Sequence, residues 1–357
     1  MISADFNIHD ILKIKYIWKR KYRCILKDLD LKLNYFSAKN VADPDITVEI
    51  GAFSPNLKGC RVYERRFFVS EGFVYAIGGN WQTKWAIQVS GLDEGKLFVK
   101  VNCTSKSIRG FLAPNMLVNI LVLPLLELKF LEKGYVLLHS AAVSKNGNGY
   151  LIVGRGGSAK TSIVMDLIRK YGYEYMGDDR VLIGSGIVMS FPTHIQTFEY
   201  LLKNSENEFM NVFTRLRLIN YLLRTKQIKI KVTERSPLRG ILFVTPSAKS
   251  YTIKNLNSQI SAKKMVANML MEYFEMSKIV GLNVSPIFEC FTAYSAAYPN
   301  SIVARFQENL LSSLETELFN LPIYEISFPS EYSGNVASVI NTVLSTKMGI
   351  KACMTKI

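Results

Sequence analysis

Acidic side chains are scarce in this sequence: 29 Asp and Glu stand against 44 Lys and Arg, a net charge of +15. The deficit is concentrated in residues 203–264, which carry 13 Lys and Arg, three Glu and no Asp. Arg215, Arg217 and Arg224 lie there on a helix-like stretch, next to an alternating basic run at 227–232. Such a segment is either a solvated basic face or a dock for an acidic protein, a leader peptide or nucleic acid. No nucleic-acid module motif accompanies it. Cysteine is sparse, odd in number and scattered (Cys24, Cys60, Cys103, Cys290, Cys353), never as CxxC. That argues against a disulfide framework and a zinc site and fits a reducing, cytoplasmic setting. A charged-then-apolar leader is missing, and the longest mostly apolar run, 116–126, is too short for a bilayer and contains Pro124. A soluble protein with no membrane span is expected. Repeats and low-complexity tracts are absent.

What remains is a chain of globular composition, 357 residues long with 48% hydrophobic content, enough for one large or two ordinary domains. Residues 1–35 alternate basic and apolar side chains and suit either an amphipathic helix or first strands. From 46 to 101, short β-patterned segments at 47–50, 61–69, 73–76, 85–89 and 97–101 are separated by Gly, Pro, Asn and Asp. The expected organisation is a smaller β-rich N-terminal domain over 1–112 and a connecting helix over 113–133. An α/β domain over 134–330 and a C-terminal helix with a basic tail over 331–357 complete it. His9 stands alone, and Trp81 and Trp85 read as core or interface.

The chemistry gathers in residues 151–179, LIVGRGGSAKTSIVMDLIRKYGYEYMGDD. A short strand runs into Gly154, Arg155, Gly156, Gly157, Ser158, Ala159, Lys160, Thr161 and Ser162. A helix follows with Ile163, Val164, Leu167 and Ile168 on one face, and then a second strand ending in Asp178 and Asp179. Strand, glycine-rich turn, helix and a strand with terminal carboxylates is the layout of a phosphate-binding loop followed by a metal- or proton-handling acid. Helix N-terminal amides favour an anion, and glycines let the backbone approach it closely. Lys160 can place charge on the outer phosphates of a nucleotide and the Thr161 hydroxyl can hold Mg²⁺. Ala159 stands where the pattern has Gly. If that position needs a left-handed backbone, Ala costs about 1–2 kcal/mol there.

Upstream, YVLLHSAAV at 135–143 reads as one strand, turning at Asn146–Gly147 into the strand before the loop. His139 on that strand is either a satisfied core histidine or a neighbour of the phosphate. Downstream, strands are expected at 180–183, 188–191, 228–232 and 239–245, and an edge strand at 321–328. Helices are expected at 206–223, 261–278 (capped by Ser261), 301–318 and 335–344. His194 and Glu199 fall where a loop enters a helix. Strands alternating with helices after 135 point to an α/β sheet covered on both sides.

His139 in LLHSAAV, a hairpin, GRGGSAKTS and then GDDRVLI together resemble the HPr kinase/phosphorylase family. They are similar in particular to its diverged HPr-kinase-like members, whose loops read GKGGSGKS. The resemblance spans 134–330, is carried by 139–183 and leaves the N-terminal domain unmatched. It implies an HPr-kinase/PEP-carboxykinase-like mixed sheet flanked by helices, ATP with Mg²⁺ in the loop, and a general base from the aspartate pair. Aligned that way, Asp179 is the base, His139 sits beside it, Lys160 contacts the outer phosphates, and Thr161, Asp178 and Glu199 serve the metal. The signature of the bifunctional enzymes after that Glu is missing, so dephosphorylation is not expected. The family often forms rings, which makes a homo-oligomer an expectation too.

The function expected is therefore ATP-dependent transfer of a phosphoryl group to a serine-like hydroxyl on a peptide, protein or small molecule. A nucleotide-binding regulatory or assembly protein without turnover is the alternative that Ala159 favours. A basic module for nucleic acid or an acidic partner is the alternative that 203–264 favours. ATP is not distinguished from GTP, since base recognition lies outside the loop.

Overall fold

Period-two alternation of apolar side chains in the first hundred residues does what it dictates, placing one face of most of the strands there in a core. In the computed structural model, which describes residues 2–18, 33–79, 83–105, 113–204, 217–218, 220–221, 229–247, 251–279, 286–329 and 334–346, the chain divides into two units. One comprises residues 1–136 and 269–313, the other 137–268 and 314–357. The division differs from the expected organisation in two ways. The N-terminal unit also contains the connecting helix and a late segment, and it is no smaller than its companion.

In the first unit, β1 (Ile2–Ile8), β2 (Leu12–Trp18), β3 (Ser37–Ala38), β4 (Ile46–Ile50), β5 (Arg61–Tyr63), β6 (Phe67–Ser70), β7 (Phe73–Gly79), β8 (Thr83–Ser90) and β9 (Leu97–Ser105) form a nine-stranded sheet. Its order is β3-β1-β2-β4-β9-β8-β7-β6-β5. The ambiguous N-terminus resolves as the β1–β2 hairpin, with Leu12, Ile14, Tyr16 and Trp18 buried on alternate positions. The expected strand 61–69 is two strands, broken by a turn where Glu64 and Arg65 take left-handed backbone (φ 50° and 56°). Helix α1 (Ala113–Glu132) packs on β9, so it belongs to this sheet rather than bridging from it. A later helix, Pro286–Ala297, covers β6 and β7. Its Tyr294 hydroxyl donates to Asp93 at 2.6 Å and accepts from the Gly72 amide at 2.9 Å.

The second unit holds β10 (Val136–Leu138, whose first residue falls in the other unit), β11 (Ala141–Lys145), β12 (Asn148–Val153), α2 (Lys160–Tyr171), β13 (Glu174–Gly177), β14 (Val181–Gly184), β15 (Ile187–Ser190) and α3 (Ile195–Asn204). After them come β16 (Arg235–Ser247), β17 (Thr252–Asn255) and α4 (Ser258–Ile279), which crosses the division at 268/269. The covering helix of the first unit is α5; α6 (Phe306–Glu317) crosses back at 313/314, followed by β18 (Ile323–Pro329) and α7 (Gly334–Ser345). The sheet is mixed: β12 runs antiparallel to β11 and parallel to β16, and β16 is parallel to β18. Asn146 and Gly147 both have positive φ (51° and 74°), the two-residue turn that joins β11 to β12 in matching twist. Ile163, Val164 and Leu167 of α2 are fully buried against Ile152, Leu242 and Val244 and against Ile340 of α7. Phe243, one step along β16, faces the other way and lies under Lys264 of α4, so helices cover this sheet on both sides.

Several expected boundaries move. The strand at 321–328 is not an edge, because β17 pairs outside it. Helix α4 starts at Ser258 and is capped by Asn257, whose Oδ1 accepts the Ile260 amide at 2.8 Å; Ser261 lies a turn inside. Residues 301–305 are turn, and α6 begins only at Phe306. Of the expected strand at 228–232, a single bridge from Val232 to Tyr175 is present among the described residues. Most of the expected helix 206–223, Arg215, Arg224, Trp81 and the basic tail from 347 lie outside the described residues.

Candidate active site

The loop after β12 is built by exclusion of side chains. A Cβ on Gly154 would sit 2.3 Å from Ser158 Oγ and 2.7 Å from the Val244 carbonyl, so only glycine passes there. Gly157 has φ 78°. Ala159 adopts φ 60°, ψ 21° as the N-cap of α2, so the position does require left-handed backbone and a non-glycine residue occupies it. Ala159 offers no capping side chain to the first-turn amides of α2. Arg155, Gly156 and Gly157 are exposed, Ser158 is buried with no hydrogen-bond partner for its hydroxyl, and Ser162 is half-buried in the first turn of the helix.

Lys160 opens α2 and is buried at 7% exposure, its ammonium turned back into the loop. It donates to the carbonyls of Gly154 (2.6 Å) and Arg155 (3.2 Å) and lies 3.4 Å from His139 Nε2. His139 is not within a continuous strand: β10 ends at Leu138, β11 begins at Ala141, and the histidine occupies the break. The break exists because β10 joins β14 while β11 joins β12 and β13, so the chain must change neighbours at 139–140. On its other side His139 Nδ1 is 3.3 Å from Asp179 Oδ1. An ammonium is donor-only, so Lys160 calls for the lone pair on Nε2 and leaves the ring proton at Nδ1, whose approach to Asp179 is close but outside hydrogen-bond geometry. Asp179 is 37% exposed against 15% for His139, open enough to meet an incoming group, and its Oδ2 lies 3.5 Å from the Thr193 hydroxyl.

Asp178 faces the other way. Its Oδ1 accepts from the Tyr175 hydroxyl at 2.7 Å and its Oδ2 from Thr161 Oγ1 at 3.2 Å. Burial pushes the Asp178 carboxyl up to about 6; the Tyr175 and Thr161 hydroxyls pull against that, while neighbouring Asp179 adds to it. Tyr175, fully buried in β13, keeps its own proton because burial and the two aspartates raise it well above the usual phenol range.

Glu199 is placed apart from the other residues expected to serve the metal. It lies on α3, buried, and one carboxylate oxygen accepts the backbone amides of Lys229 and Ile230, the latter at 2.6 Å. Among the described residues no contact brings it to Thr161 or Asp178. No cluster of three His, Cys, Asp or Glu forms among those residues either. A magnesium ion does not ask for one: it takes one or two carboxylates with phosphate oxygens and water, and the Asp178–Thr161 pair fits that donor set. His194 is exposed just ahead of α3.

Of the basic segment, Lys231 pairs with Glu174 and Lys264 with Glu325, so part of its charge is neutralised inside the fold. Cys60, Cys103 and Cys290 are free thiols, and no helix among the described residues is long and apolar enough to cross a membrane. Sequence reasoning overlooked Tyr175 and Thr193. The only signal for Tyr175 was a phenol three positions before Asp178, which reads equally as core. No protein-family model matches the chain, and no curated protein matches it.

Proposed function

We propose that the chain is an ATP-dependent phosphotransferase of HPr-kinase type, moving the γ-phosphoryl group to a serine-like hydroxyl on a peptide, protein or small molecule. One juxtaposition carries this reading: Lys160, His139 and Asp179 stand in line at the mouth of the glycine-rich loop, with Asp178 and Thr161 paired beside them. Asp179, beside His139, takes the hydroxyl proton as the alcohol oxygen forms its bond to phosphorus. The bond from that phosphorus to the bridging oxygen breaks, and the nucleoside diphosphate leaves with the electron pair. The α2 N-terminus and Lys160 hold the phosphates, and Thr161 with Asp178 would hold Mg²⁺, which neutralises their charge. Incubating the protein with γ-labelled ATP and Mg²⁺ in an extract of its own cell tests this. Label should reach a hydroxyl-bearing species, and Asp179→Asn should cut transfer at least about 100-fold while ATP still binds. ATP binding with no transfer to any acceptor would overturn it.

A second reading, nucleotide binding without turnover, is favoured by the strained Ala159 backbone and by Lys160 donating to loop carbonyls. If Ala159→Gly raises nucleotide affinity yet brings no transfer, this reading replaces the first.

A further inference from the structure

A cavity of about 720 Å³ lies at the end of the second unit's sheet away from the glycine-rich loop. It is lined by the β11–β12 turn, by Tyr150 and Tyr173, by Arg239 and by the end of α7. β12 places the two features at its opposite ends, so about 17 Å of strand separates Asn148 from Val153. Nothing in the phosphotransfer reading uses this cavity.

Its charge is one-sided. Lys145 and Arg239 are the charged residues in the lining, and no carboxylate is among them. Lys145 has its ammonium over the Tyr173 ring, 4.6 Å from the centroid, and Arg239 donates from Nε to Asn148 Oδ1 at 3.3 Å. Among the described residues neither cation reaches a carboxylate. This contrasts with Lys231 and Lys264 nearby in sequence, which are both paired.

Arg239 lies on the exposed face of β16, in step with Arg235 and Pro237. The parallel ladder of β12 and β16 steps from Gly149–Leu238 to Tyr150–Gly240, leaving Arg239 as the extra residue of a bulge. Arg239 lies beside this irregularity, is exposed, and lines the cavity with Lys145. Asparagine amides supply neutral donors around the two charges. The volume suits a ligand of metabolite size.

We propose that this cavity is a second anion site, binding a small phosphate- or carboxylate-bearing molecule through Arg239 and Lys145, independently of the glycine-rich loop. Arg239 supplies the planar fork that matches an oxyanion, and Lys145 the point charge, held in place by the Tyr173 ring.

Calorimetric titration of Lys160→Ala protein with inorganic phosphate and with citrate, at low ionic strength, isolates this site from the loop. Saturable binding of at least one anion is expected, and the preferred one identifies the head group. Adding Lys145→Gln and Arg239→Gln should weaken that binding at least tenfold, whereas Lys145→Arg should stay within about threefold because it keeps the charge. Thermal unfolding of each variant checks that the fold is intact. Absence of saturable binding by both anions to Lys160→Ala protein would overturn the proposal. So would unchanged affinity in the doubly neutral variant, or equal loss in Lys145→Arg and Lys145→Gln.

Discussion

Ala159 and Asp178 are the two residues where local physics opposes the fold most visibly. Ala159 holds a left-handed backbone that its Cβ disfavours by about 1–2 kcal/mol, partly offset by the lower entropy of alanine in the unfolded chain. Ala159→Gly is therefore expected to raise stability by roughly 0.5–1 kcal/mol, read as a higher urea midpoint with unchanged slope. A lower midpoint would show that the methyl group packs in a way that outweighs the strain. Asp178 carries the opposite sign of problem: its folded carboxyl titrates near 6 instead of 3.8 because it is buried. Between about pH 4 and 6 the folded chain keeps a proton that the unfolded chain has released, so stability falls as pH rises through that window and levels above it. Asp178→Asn should flatten this slope, measured as urea midpoints from pH 4 to 7. If Asp178 must be ionised to serve the metal, phosphoryl transfer should rise through about pH 6. Tyr175→Phe, which removes a hydrogen bond to the ionised form, should move that rise to higher pH. A pH profile that stays in place in Tyr175→Phe would detach Asp178 from the rate.

At the scale of elements, legibility followed how local the signal was. The Asn146–Gly147 turn, the α2 face of Ile163, Val164 and Leu167, and the glycine-rich loop were readable because each is fixed within a few residues. Helix α5 was not foreseen: in PIFECFTAYSAA the solvent face is only the narrow stripe Glu289, Thr292 and Ser295, a weak 3.6-residue rhythm among apolar residues. The break at His139 was hidden for a different reason. YVLLHSAAV is uniformly strand-forming, and its two halves part only because they pair with different strands far away in sequence. The start of α4 was misplaced by choosing Ser261 over Asn257, although both are good capping residues. The cap assignment makes its own prediction. Asn257→Ala should cost about 1 kcal/mol in thermal or denaturant unfolding, and a cost near zero would return the cap to another residue.

For the whole molecule, the decisive fact is that the first unit is not contiguous. Its sheet buries Phe67, Val69 and Val74 on the side that α5 covers, and α5 arrives more than two hundred residues after those strands. That arrangement could not be read from the sequence, because non-local packing leaves no periodic trace. A chain ending at residue 268 should therefore expose this apolar face, bind a hydrophobic dye and lose cooperative unfolding of the first unit; a sharp transition with no dye binding would show that the strands and α1 suffice. Tyr294→Phe is the gentler version, taking hydrogen bonds from Asp93 and the Gly72 amide and costing about 1–3 kcal/mol.

The same interleaving bears on synthesis. A ribosome emits the nine strands of the first sheet early, yet the chain then runs through most of the second unit before α5 emerges, and the second unit in turn awaits β18 and α7. Vectorial folding, in which an N-terminal domain finishes before the next begins, is closed to this chain. Both units are completed only by segments that follow residue 268. For that interval the nascent protein presents an open nine-stranded sheet to the cell, and it is there that a chaperone would be needed.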